Sequence, residues 1–313
     1  MPVAYAGEPG AFAEDAVLVA FGDVPRMAVG SFRDVFVQVT EGRAGAGVLP
    51  IENLLNGTIR EVYDLLLEHD LGVVGEVVVP VRLCLAALPG QSIEEIGRVY
   101  SHVQALAQAE AFLRTRPWTT LTTYNTAGAG KLIHDSGERG AAAVLSPRAA
   151  ALFDLEILAD GIQGASDNRT RFLVVAPLGG GGSSATAESS VPAESSVPAE
   201  SSAPAQSSAP AGAALAIHSV PGGPRRTTLA FAVRNEPGTL LRALRAFAER
   251  GVNLSSLESR PSRTAAWEYI FWVDLDADAA DPRCAAAIDD LRAASTMVRI
   301  LGSYPRAAEP LGG

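Results

Sequence analysis

Residues 46–58 read Ala-Gly-Val-Leu-Pro-Ile-Glu-Asn-Leu-Leu-Asn-Gly-Thr, and this stretch decides the fold of the first half of the chain. Its apolar start at 46–49 predicts a buried strand, and the helical pattern that follows at 59–68 predicts a helix. The turn between them is polar and flexible, and it leaves backbone N–H groups free at the start of that helix. A strand that leads through a turn into a helix is the repeating unit of an α/β fold.

The same alternation continues on both sides of this stretch. Further β-rich segments are predicted at 3–6, 71–88, 99–100, 141–145 and 171–176. Further helices are predicted at 12–21, 104–114 and 127–134. The pattern indicates an α/β region with mostly parallel strands. It is long enough for two lobes, roughly 1–78 with 158–178, and 79–157, and such lobes usually meet at a ligand cleft.

A change of composition ends this first domain, which we place at 1–178. Glycine, serine, alanine and proline dominate residues 179–224, where a six-residue unit of the type Ala-Glu-Ser-Ser-Val-Pro recurs four times from residue 187 onward. Such prolyl repeats cannot bury a core, so we expect a disordered, semi-extended linker. A docking motif is the alternative.

The pattern after the linker is shorter and different. Strands are predicted at 227–233, 253–259, 267–275 and 297–303, and helices at 240–250 and 285–294. This β-α-β-β-α-β order is typical of a ferredoxin-like α+β domain, which we place at 225–313.

Composition and charge exclude several classes of protein. The 313 residues suit two or three domains. Hydrophobic residues at 48% and charged residues at 19% are typical of a globular protein. A formal charge of -10 argues against a nucleic acid or an anionic membrane as partner, because both demand a basic surface.

The cysteines and the chain's apolar runs indicate a compartment. Only Cys84 and Cys284 occur, far apart in the chain, which suits a reducing environment and gives no disulfide or zinc framework. The start of the sequence lacks the pattern of a signal peptide, and no apolar run approaches the length that spans a membrane. We therefore expect a cytoplasmic protein.

Several polar segments are candidates for chemistry. Small turns at 7–12, 52–58 and 101–104 each precede a predicted helix, whose first N–H groups could together hold a carboxylate-rich ligand. Asn168-Arg169-Thr170-Arg171-Phe172 precedes the last strand of the first domain. Helix and loop capping is the alternative for each segment. The four histidines have no ligand spacing and no nucleotide-binding motif is present, so we expect neither a metal nor a cofactor.

Read in chain order, these segments resemble motifs of the prephenate dehydratase family, which includes arogenate dehydratases. The matching segments are Tyr5–Glu14, Val48–Asn53 with Gly57 and Thr58, Ser101–Gln108, and Asn168–Phe172. Past the linker, Asn235–Leu240 and Glu258–Pro261 resemble the two ligand motifs of the regulatory ACT domain. The resemblance covers roughly 3–177 and 227–305. It implies a two-lobed, periplasmic-binding-protein-like catalytic region with a cleft, followed by a ferredoxin-like ACT domain.

The resemblance also implies an activity and its residues. Prephenate loses carbon dioxide and a ring hydroxyl to give phenylpyruvate, a step in phenylalanine biosynthesis that needs positioning and hydrogen bonds but no cofactor. Thr170 is the implied proton donor, held on what we expect to be an exposed loop. The implied substrate contacts are Asn53, Ser101, Gln108, Arg171, Gly10, Ala11, Thr58 and Asn168. Among these we expect Arg171 to bind a carboxylate.

Feedback regulation is implied by the second domain. Phenylalanine is expected at an interface between ACT domains, which would make the protein a homodimer or homotetramer. The implied effector contacts are Asn235, Gly238, Thr239, Leu240, Glu258, Ser259, Arg260 and Pro261. Two alternatives remain: an arogenate dehydratase, to which residues 63–69 and 75–77 are similar, and a non-catalytic amino-acid-binding regulator.

Overall fold

The computed structural model describes residues 1–165, 167–178, 217, 223–261 and 269–307. The predicted linker at 179–224 lies almost entirely outside the described residues and stays a prediction, as do the domain boundaries that depend on it. None of the helices in the described ranges is long and apolar enough to cross a membrane.

Strands and helices alternate through the first domain. The strands are β1 (Val3–Ala6), β2 (Arg26–Val29), β3 (Ala46–Asn53), β4 (Gly57–Thr58), β5 (Gly72–Pro80), β6 (Cys84–Ala87), β7 (Arg98–Ser101), β8 (Thr119–Thr122), β9 (Ala141–Leu145), β10 (Glu156–Asp160) and β11 (Arg169–Ala176). The helices are α1 (Phe12–Phe21), α2 (Phe32–Thr40), α3 (Arg60–Glu68), α4 (Val103–Gln108), α5 (Glu110–Leu113), α6 (Thr126–Ser136) and α7 (Pro147–Leu152), with a 3₁₀ turn at Ile93–Glu95.

These elements form two sheets, one in each lobe. The first has the order β2-β1-β3-β11-β5, with β4 paired to β3, and the second has the order β10-β6-β9-β7-β8. The chain crosses from the first lobe to the second between β5 and β6 and returns between β10 and β11. The prediction of a two-lobed, periplasmic-binding-protein-like α/β region is therefore confirmed.

The prediction of mostly parallel strands is confirmed for strand direction, because apart from the two-residue β4 a single strand in each sheet, β11 or β6, runs against the others. β1 is parallel to β2 and β3, and β7 is parallel to β8 and β9, but β11 is antiparallel to both β3 and β5. In the second sheet β6 is likewise antiparallel to β9 and β10. The cause is the double crossing, since β6 and β11, the first strands after each crossing, enter their sheets against the direction of their neighbours.

Apolar strands buried on both faces hold the first lobe together. Helix α1 packs on one face of the sheet through Val17 and Phe21, next to Val174. Helices α2 and α3 cover the other face, where Phe36 and Leu65 pack among the buried strand residues. Burial on both faces explains why the central strands are continuous apolar runs with no polar alternation.

Two predicted elements have different bounds. The β-branched run at 71–88 is two strands, β5 in the first lobe and β6 in the second, with the crossing at 81–83. The helix predicted at 104–114 is divided at Ala109 into α4 and α5. The first break was missed because the residues on both sides of 81–83 are equally apolar, and the second because Ala109 is itself a strong helix former.

The second domain is a single antiparallel sheet with two helices. It contains β12 (Arg225–Ala232), α8 (Thr239–Ala248), β13 (Leu254–Pro261), β14 (Tyr269–Leu275), α9 (Pro282–Ala294) and β15 (Met297–Pro305). The strand order is β13-β14-β12-β15. Both helices pack on one face of this sheet, around Phe231, Phe247 and Ile288. The predicted ferredoxin-like β-α-β-β-α-β order is confirmed.

The other face of this sheet packs against the first lobe. Trp272 on β14 makes an edge-to-face contact with Tyr63 on α3, at 5.0 Å between ring centroids. Gly302 on β15 lies so close to the backbone of Val73 on β5 that a Cβ at this glycine would overlap the Val73 carbonyl. The second domain and the lobe that carries β11 are thus in direct contact within one chain.

Candidate active site

A crevice of about 400 Å³ lies between the two lobes of the first domain. Its volume lies within the range of about 300–1,000 Å³ that small-molecule sites usually have. The first lobe contributes the residues Ala6, Ala11, Phe12, Ala13, Phe32, Pro50, Asn53, Asn56, Ile59, Thr170 and Phe172. The second lobe and the crossing contribute Val81, Leu83, His102, Gln104, Ala105, Gln108, Tyr124, Asn125 and Thr126.

Thr170 lies at one end of a hydrogen-bonded chain that begins in the lining of this crevice. It pairs with Asn53 across β11 and β3, and the Nδ2 of Asn53 lies 3.0 Å from its hydroxyl oxygen. The backbone N–H groups of Leu55 and Asn56 donate to Oδ1 of Asn53, which fixes Nδ2 as the donor. Thr170 therefore accepts from Asn53 and keeps its own hydroxyl hydrogen for a ligand.

The chain continues from Asn53 into the second lobe. Nδ2 of Asn53 also lies 2.9 Å from the side-chain oxygen of Asn168. The amide nitrogen of Asn168 donates in turn to Gln108 on α4, at 3.0 Å. Asn53 and Asn168 are 7% and 1% exposed, and bonds between buried neutral groups hold a geometry firmly because each group would lose its partner on moving.

The prediction that Thr170 lies on an exposed loop is wrong. β11 begins at Arg169, one residue before it, and Thr170 is 8% exposed. The polar composition around 161–170 makes the loop look longer than it is. Asn168 and Thr170 are polar because they form the buried hydrogen bonds just described, and Thr170 already belongs to β11.

Several predicted substrate contacts lie outside the crevice. Ser101 is fully buried and donates its hydroxyl to the carbonyl of Val144, at 2.6 Å, within the second sheet. The N–H of Gly10 donates to the carboxylate of Glu14, at 2.7 Å. Thr58 lies on β4 opposite Glu52. Their positions support structural roles.

Arg171 is also outside the crevice. Side chains alternate along β11, so Thr170 and Phe172 face the crevice while Arg171 faces the second domain. Its guanidinium pairs with Asp274 at 2.7 Å. The expectation that Arg171 binds a substrate carboxylate is contradicted by this orientation.

The sequence reasoning missed several polar residues of the crevice, among them Asn56, Gln104, Tyr124 and Asn125. Asn125 is the N-cap of α6 and accepts from the N–H of Gly128, at 2.5 Å. An Asn before a helical pattern is a signal for such a cap, so Asn125 could have been found. No comparable sequence pattern marks Tyr124 as a residue of the crevice.

Contacts across the crevice hold the lobes together. Arg148 on α7 pairs with Glu14 on α1 at 2.6 Å, and also with Asp15. Tyr124 donates its hydroxyl to Glu8, at 3.0 Å, on the other side of the opening. Burial opposes the charge of Glu14, but the Gly10 N–H and the Arg148 guanidinium hold its pKa below the usual value.

The crevice is neutral where the hydrogen-bonded chain lies. Among the described residues that line it, His102 and Tyr124 are the titratable ones. Burial lowers the pKa of His102, and burial together with Glu8 raises the pKa of Tyr124. Both side chains are therefore uncharged near pH 7. No group of three His, Cys, Asp or Glu side chains that could hold a metal occurs among the described residues.

The predicted effector residues lie at one end of the second domain's sheet. Ala232 on β12 and Arg260 on β13 both pair with Ile270, so the segments 235–240 and 258–261 lie near the same end. Gly238 begins α8 with a φ of 81°, a conformation that favours glycine. The side chain of Arg260 pairs with Asp64 on α3, at 2.8 Å.

A two-lobed α/β domain with a neutral crevice, joined to a ferredoxin-like sheet, defines a protein that binds a small molecule between its lobes and carries an appended α+β domain. Residues 3–178 match the family model for prephenate dehydratase, and residues 227–293 match that for the ACT domain. The chain belongs to the prephenate dehydratase family, which confirms the prediction of a dehydratase with a C-terminal ACT domain.

Two curated relatives show how the family varies. A bifunctional chorismate mutase/prephenate dehydratase of Aquifex aeolicus is 34% identical over 308 residues, covering 97% of this chain and 74% of the relative. Arogenate dehydratase/prephenate dehydratase 2, chloroplastic, of Arabidopsis thaliana is 36% identical over 316 residues, covering 97% of this chain and 72% of the relative.

Solved structures share the whole arrangement. The prephenate dehydratase of Arthrobacter aurescens in complex with L-Phe has a TM-score of 0.78 and 28% identity, with 100% of this chain and 93% of that chain covered. A structure described as GqqA, a novel type of quorum quenching acylase, has a TM-score of 0.79 and 29% identity, with 98% of both chains covered.

Proposed function

We propose that the crevice converts prephenate to phenylpyruvate, water and carbon dioxide, with Thr170 as the proton donor. The observation that carries this proposal is the amide of Asn53 at 3.0 Å from the Thr170 hydroxyl oxygen. Because Thr170 accepts from Asn53, its hydrogen points elsewhere, and the crevice is where Thr170 is exposed.

The reaction needs little from the enzyme beyond positioning. The bond to the ring carboxylate breaks and releases carbon dioxide, its electrons enter the ring, and the ring C–O bond breaks so that its electron pair leaves with the hydroxyl. The Thr170 hydroxyl gives the leaving oxygen a proton to form water, and solvent returns a proton to Thr170. Formation of the aromatic ring supplies much of the driving force. A positioned hydroxyl that donates to the leaving oxygen is the group this step requires.

The substrate's two carboxylates must be held without a cation in the crevice wall. Ala11 and Phe12 at the start of α1, and Asn125 and Thr126 at the start of α6, line the crevice. The first N–H groups of a helix carry partial positive charge and lack partners within the helix, so these two starts suit carboxylates. Gln104 and Gln108 add neutral donors from the second lobe.

Arogenate is the alternative substrate, because the Arabidopsis thaliana relative is named for both activities. The segments that are similar to arogenate dehydratases, 63–69 and 75–77, lie at the contact with the second domain: Tyr63 packs on Trp272 and Glu76 pairs with Arg226. They are remote from the substrate's side chain, so they favour neither substrate.

For the second domain we propose binding of phenylalanine near residues 235–240 and 258–261, with inhibition of the crevice as the result. The L-Phe complex of the Arthrobacter aurescens relative supports this proposal. We further propose that ACT domains join copies of the chain into a dimer or tetramer, and that the protein is cytoplasmic.

The decisive experiment is an assay of the purified chain with prephenate and, separately, with arogenate, following phenylpyruvate and phenylalanine. We expect phenylpyruvate from prephenate. In Thr170→Ala, kcat should fall by about 10²–10⁴-fold, the usual contribution of a positioned proton donor. The loss of one buried hydrogen bond should cost about 1 kcal/mol of stability.

Thr170→Ser is the matched control, since it keeps a hydroxyl at the same position on β11. It should retain far more activity than Thr170→Ala. Full activity in Thr170→Ala would remove Thr170 from the mechanism, and product from arogenate alone would reassign the substrate.

A further inference from the structure

Arg171 is adjacent to the proposed proton donor in sequence, yet it contacts the ACT domain. Its guanidinium lies 2.7 Å from Asp274 on β14, 3.2 Å from Glu76 on β5 and 3.3 Å from Glu52 on β3. The Arg171 side chain is 11% exposed. The shortest of these ion pairs therefore crosses from the catalytic strand to the regulatory sheet.

The carboxylates around Arg171 differ in what else holds them. Glu76 also pairs with Arg226 at 2.8 Å and accepts from the N–H of Ala307 at 3.0 Å, so it has a second cation. Asp274 accepts from the hydroxyl of Thr228, at 2.6 Å, and among the residues that the structure describes Arg171 is the cation within ion-pair distance of it. The Asp274 side chain is 7% exposed. A carboxylate this buried depends strongly on its counter-ion.

A β-bulge interrupts the pairing of β11 with β3 next to Arg171, while β11 keeps a regular register with β5 from Arg169 to Val174. Arg171 pairs with Glu52 on β3, but Phe172 pairs with Pro50, so Ile51 has no partner in this register. Bulges redirect side chains and weaken the ladder on either side. Thr170 and Asn53 pair on the N-terminal side of this bulge, next to Arg171. The ion pairs of Arg171 therefore act most directly on the Thr170–Asn53 pair.

The effector segment connects to Asp274 through one strand. Ser256 on β13 pairs with Asp274, and Glu258, two residues further along, pairs with Trp272 on the same strand β14. A ligand bound at 258–261 that shifts β13 against β14 therefore acts directly on the position of Asp274.

We propose that Asp274 of the ACT domain positions Thr170 through Arg171, so that the arrangement of the regulatory sheet sets the turnover of the crevice. This inference rests on the proposed role of Thr170. Arg171 is a positioning residue that holds the strand, and it does not contact the substrate. Phenylalanine can shift the balance between two arrangements of the regulatory sheet only by as much as its affinity for those two arrangements differs.

The test is Asp274→Asn in the full chain, a change that removes the charge and keeps the size. We expect kcat for prephenate to fall about three- to tenfold with KM changed less than about twofold, because binding groups are untouched while the proton donor loses its anchor. At saturating phenylalanine, wild type should be almost fully inhibited, whereas the variant should keep more than about half of its own activity.

Arg299→Gln is the matched control. Arg299 on β15 also joins the domains, donating to the carbonyls of Leu67 and His69 at 2.9 and 2.8 Å, at the end of α3. It should leave kcat and the response to phenylalanine unchanged. Equal losses in both variants would show that docking of the domains in general matters, and would overturn the assignment to Asp274.

If Asp274→Asn fails to fold, Thr228→Val tests the same contact more gently. It removes the hydroxyl that donates to Asp274 and that also lies 2.6 Å from the buried Tyr304 hydroxyl, and it leaves both charges, so the same changes should appear at smaller size together with some loss of stability. An Asp274→Asn or Thr228→Val chain with wild-type kcat and wild-type inhibition would refute the inference. A wild-type chain that makes no phenylpyruvate would instead refute the proposed function.

Discussion

The two faces of β11 are built from opposite chemistry. On the crevice face, Thr170 belongs to a chain of neutral side chains that ends at Gln108 in the other lobe. On the opposite face, one residue along, Arg171 enters a cluster of buried charges shared with the ACT domain. Alternation along a single strand thus separates the reacting group from the regulatory contact by one peptide unit.

The difference shows what each face has to do. A doubly negative substrate enters the crevice, and neutral donors can hold it without first being paired to protein carboxylates. The opposite face binds no ligand in our proposals, so it can use ion pairs that satisfy one another. Buried ion pairs add little net stability but are costly to break, which makes them suitable for fixing one domain on another.

The largest effect on kcat should come from a change on the crevice face of β11. Asn53→Ala removes the donor to Thr170 and to Asn168 together, so kcat should fall by about 10²-fold or more, as when one catalytic hydrogen-bond donor is lost. Steady-state kinetics with prephenate measures this. Leu55→Ala, in the same turn but outside the crevice lining, is the control that should stay within a small factor of wild type. A mild phenotype for Asn53→Ala would break the comparison.

A change on the opposite face of β11, where the buried charges lie, should change the free energy of unfolding more than kcat. Glu76→Gln leaves Arg226 without its nearest carboxylate, and breaking such a buried pair costs about 3–5 kcal/mol. Arg171 keeps Asp274, so kcat should change by less than about threefold. Urea denaturation followed by tryptophan fluorescence, to which Trp272 in the contact contributes, gives the stability. A kcat loss comparable to that of Asn53→Ala would show that the faces are not separate.

The smallest effect should be that of pH on kcat/KM near neutrality. Burial lowers the pKa of His102 from its ordinary value of 6.5, so the neutral form is favoured in the folded chain. Folding therefore loses stability as the pH falls below the unfolded value, where the unfolded chain takes up the proton first. We expect kcat/KM to be flat from about pH 7 to 8.5 and to fall only in more acid solution. A bell-shaped profile centred near neutral pH would point to a charged group in the crevice.

Much of the fold could be predicted from the sequence because the periodicities are local. The run at 46–49 and the helix at 59–68 lie in the structure as expected, as do the elements of the ferredoxin-like sheet. The direction of β11 could not be predicted, since it depends on a chain that crosses between lobes twice. The division of 71–88 between two sheets was hidden for the same reason.

Part of the site was also within reach of the sequence. Asn53, Gln108, Asn168 and Thr170 were predicted together, and the structure brings them into one hydrogen-bonded chain across two lobes. Ser101 and Arg171 belong to the same motifs, but Ser101 is buried behind the crevice wall and Arg171 faces the other way. A motif fixes which residues are adjacent in sequence, and strand alternation then decides which of them face the ligand.

The sequence by itself determined the order of elements, the two domains' fold classes and the neutral character of the reacting groups, because these depend on local pattern and residue type. Only the tertiary structure decided that Thr170 and Arg171 serve opposite faces, and that Asp274 meets Arg171 from a domain a hundred residues away in the chain. The physical reason is that buried charges find their partners through packing of whole sheets, which no local pattern records.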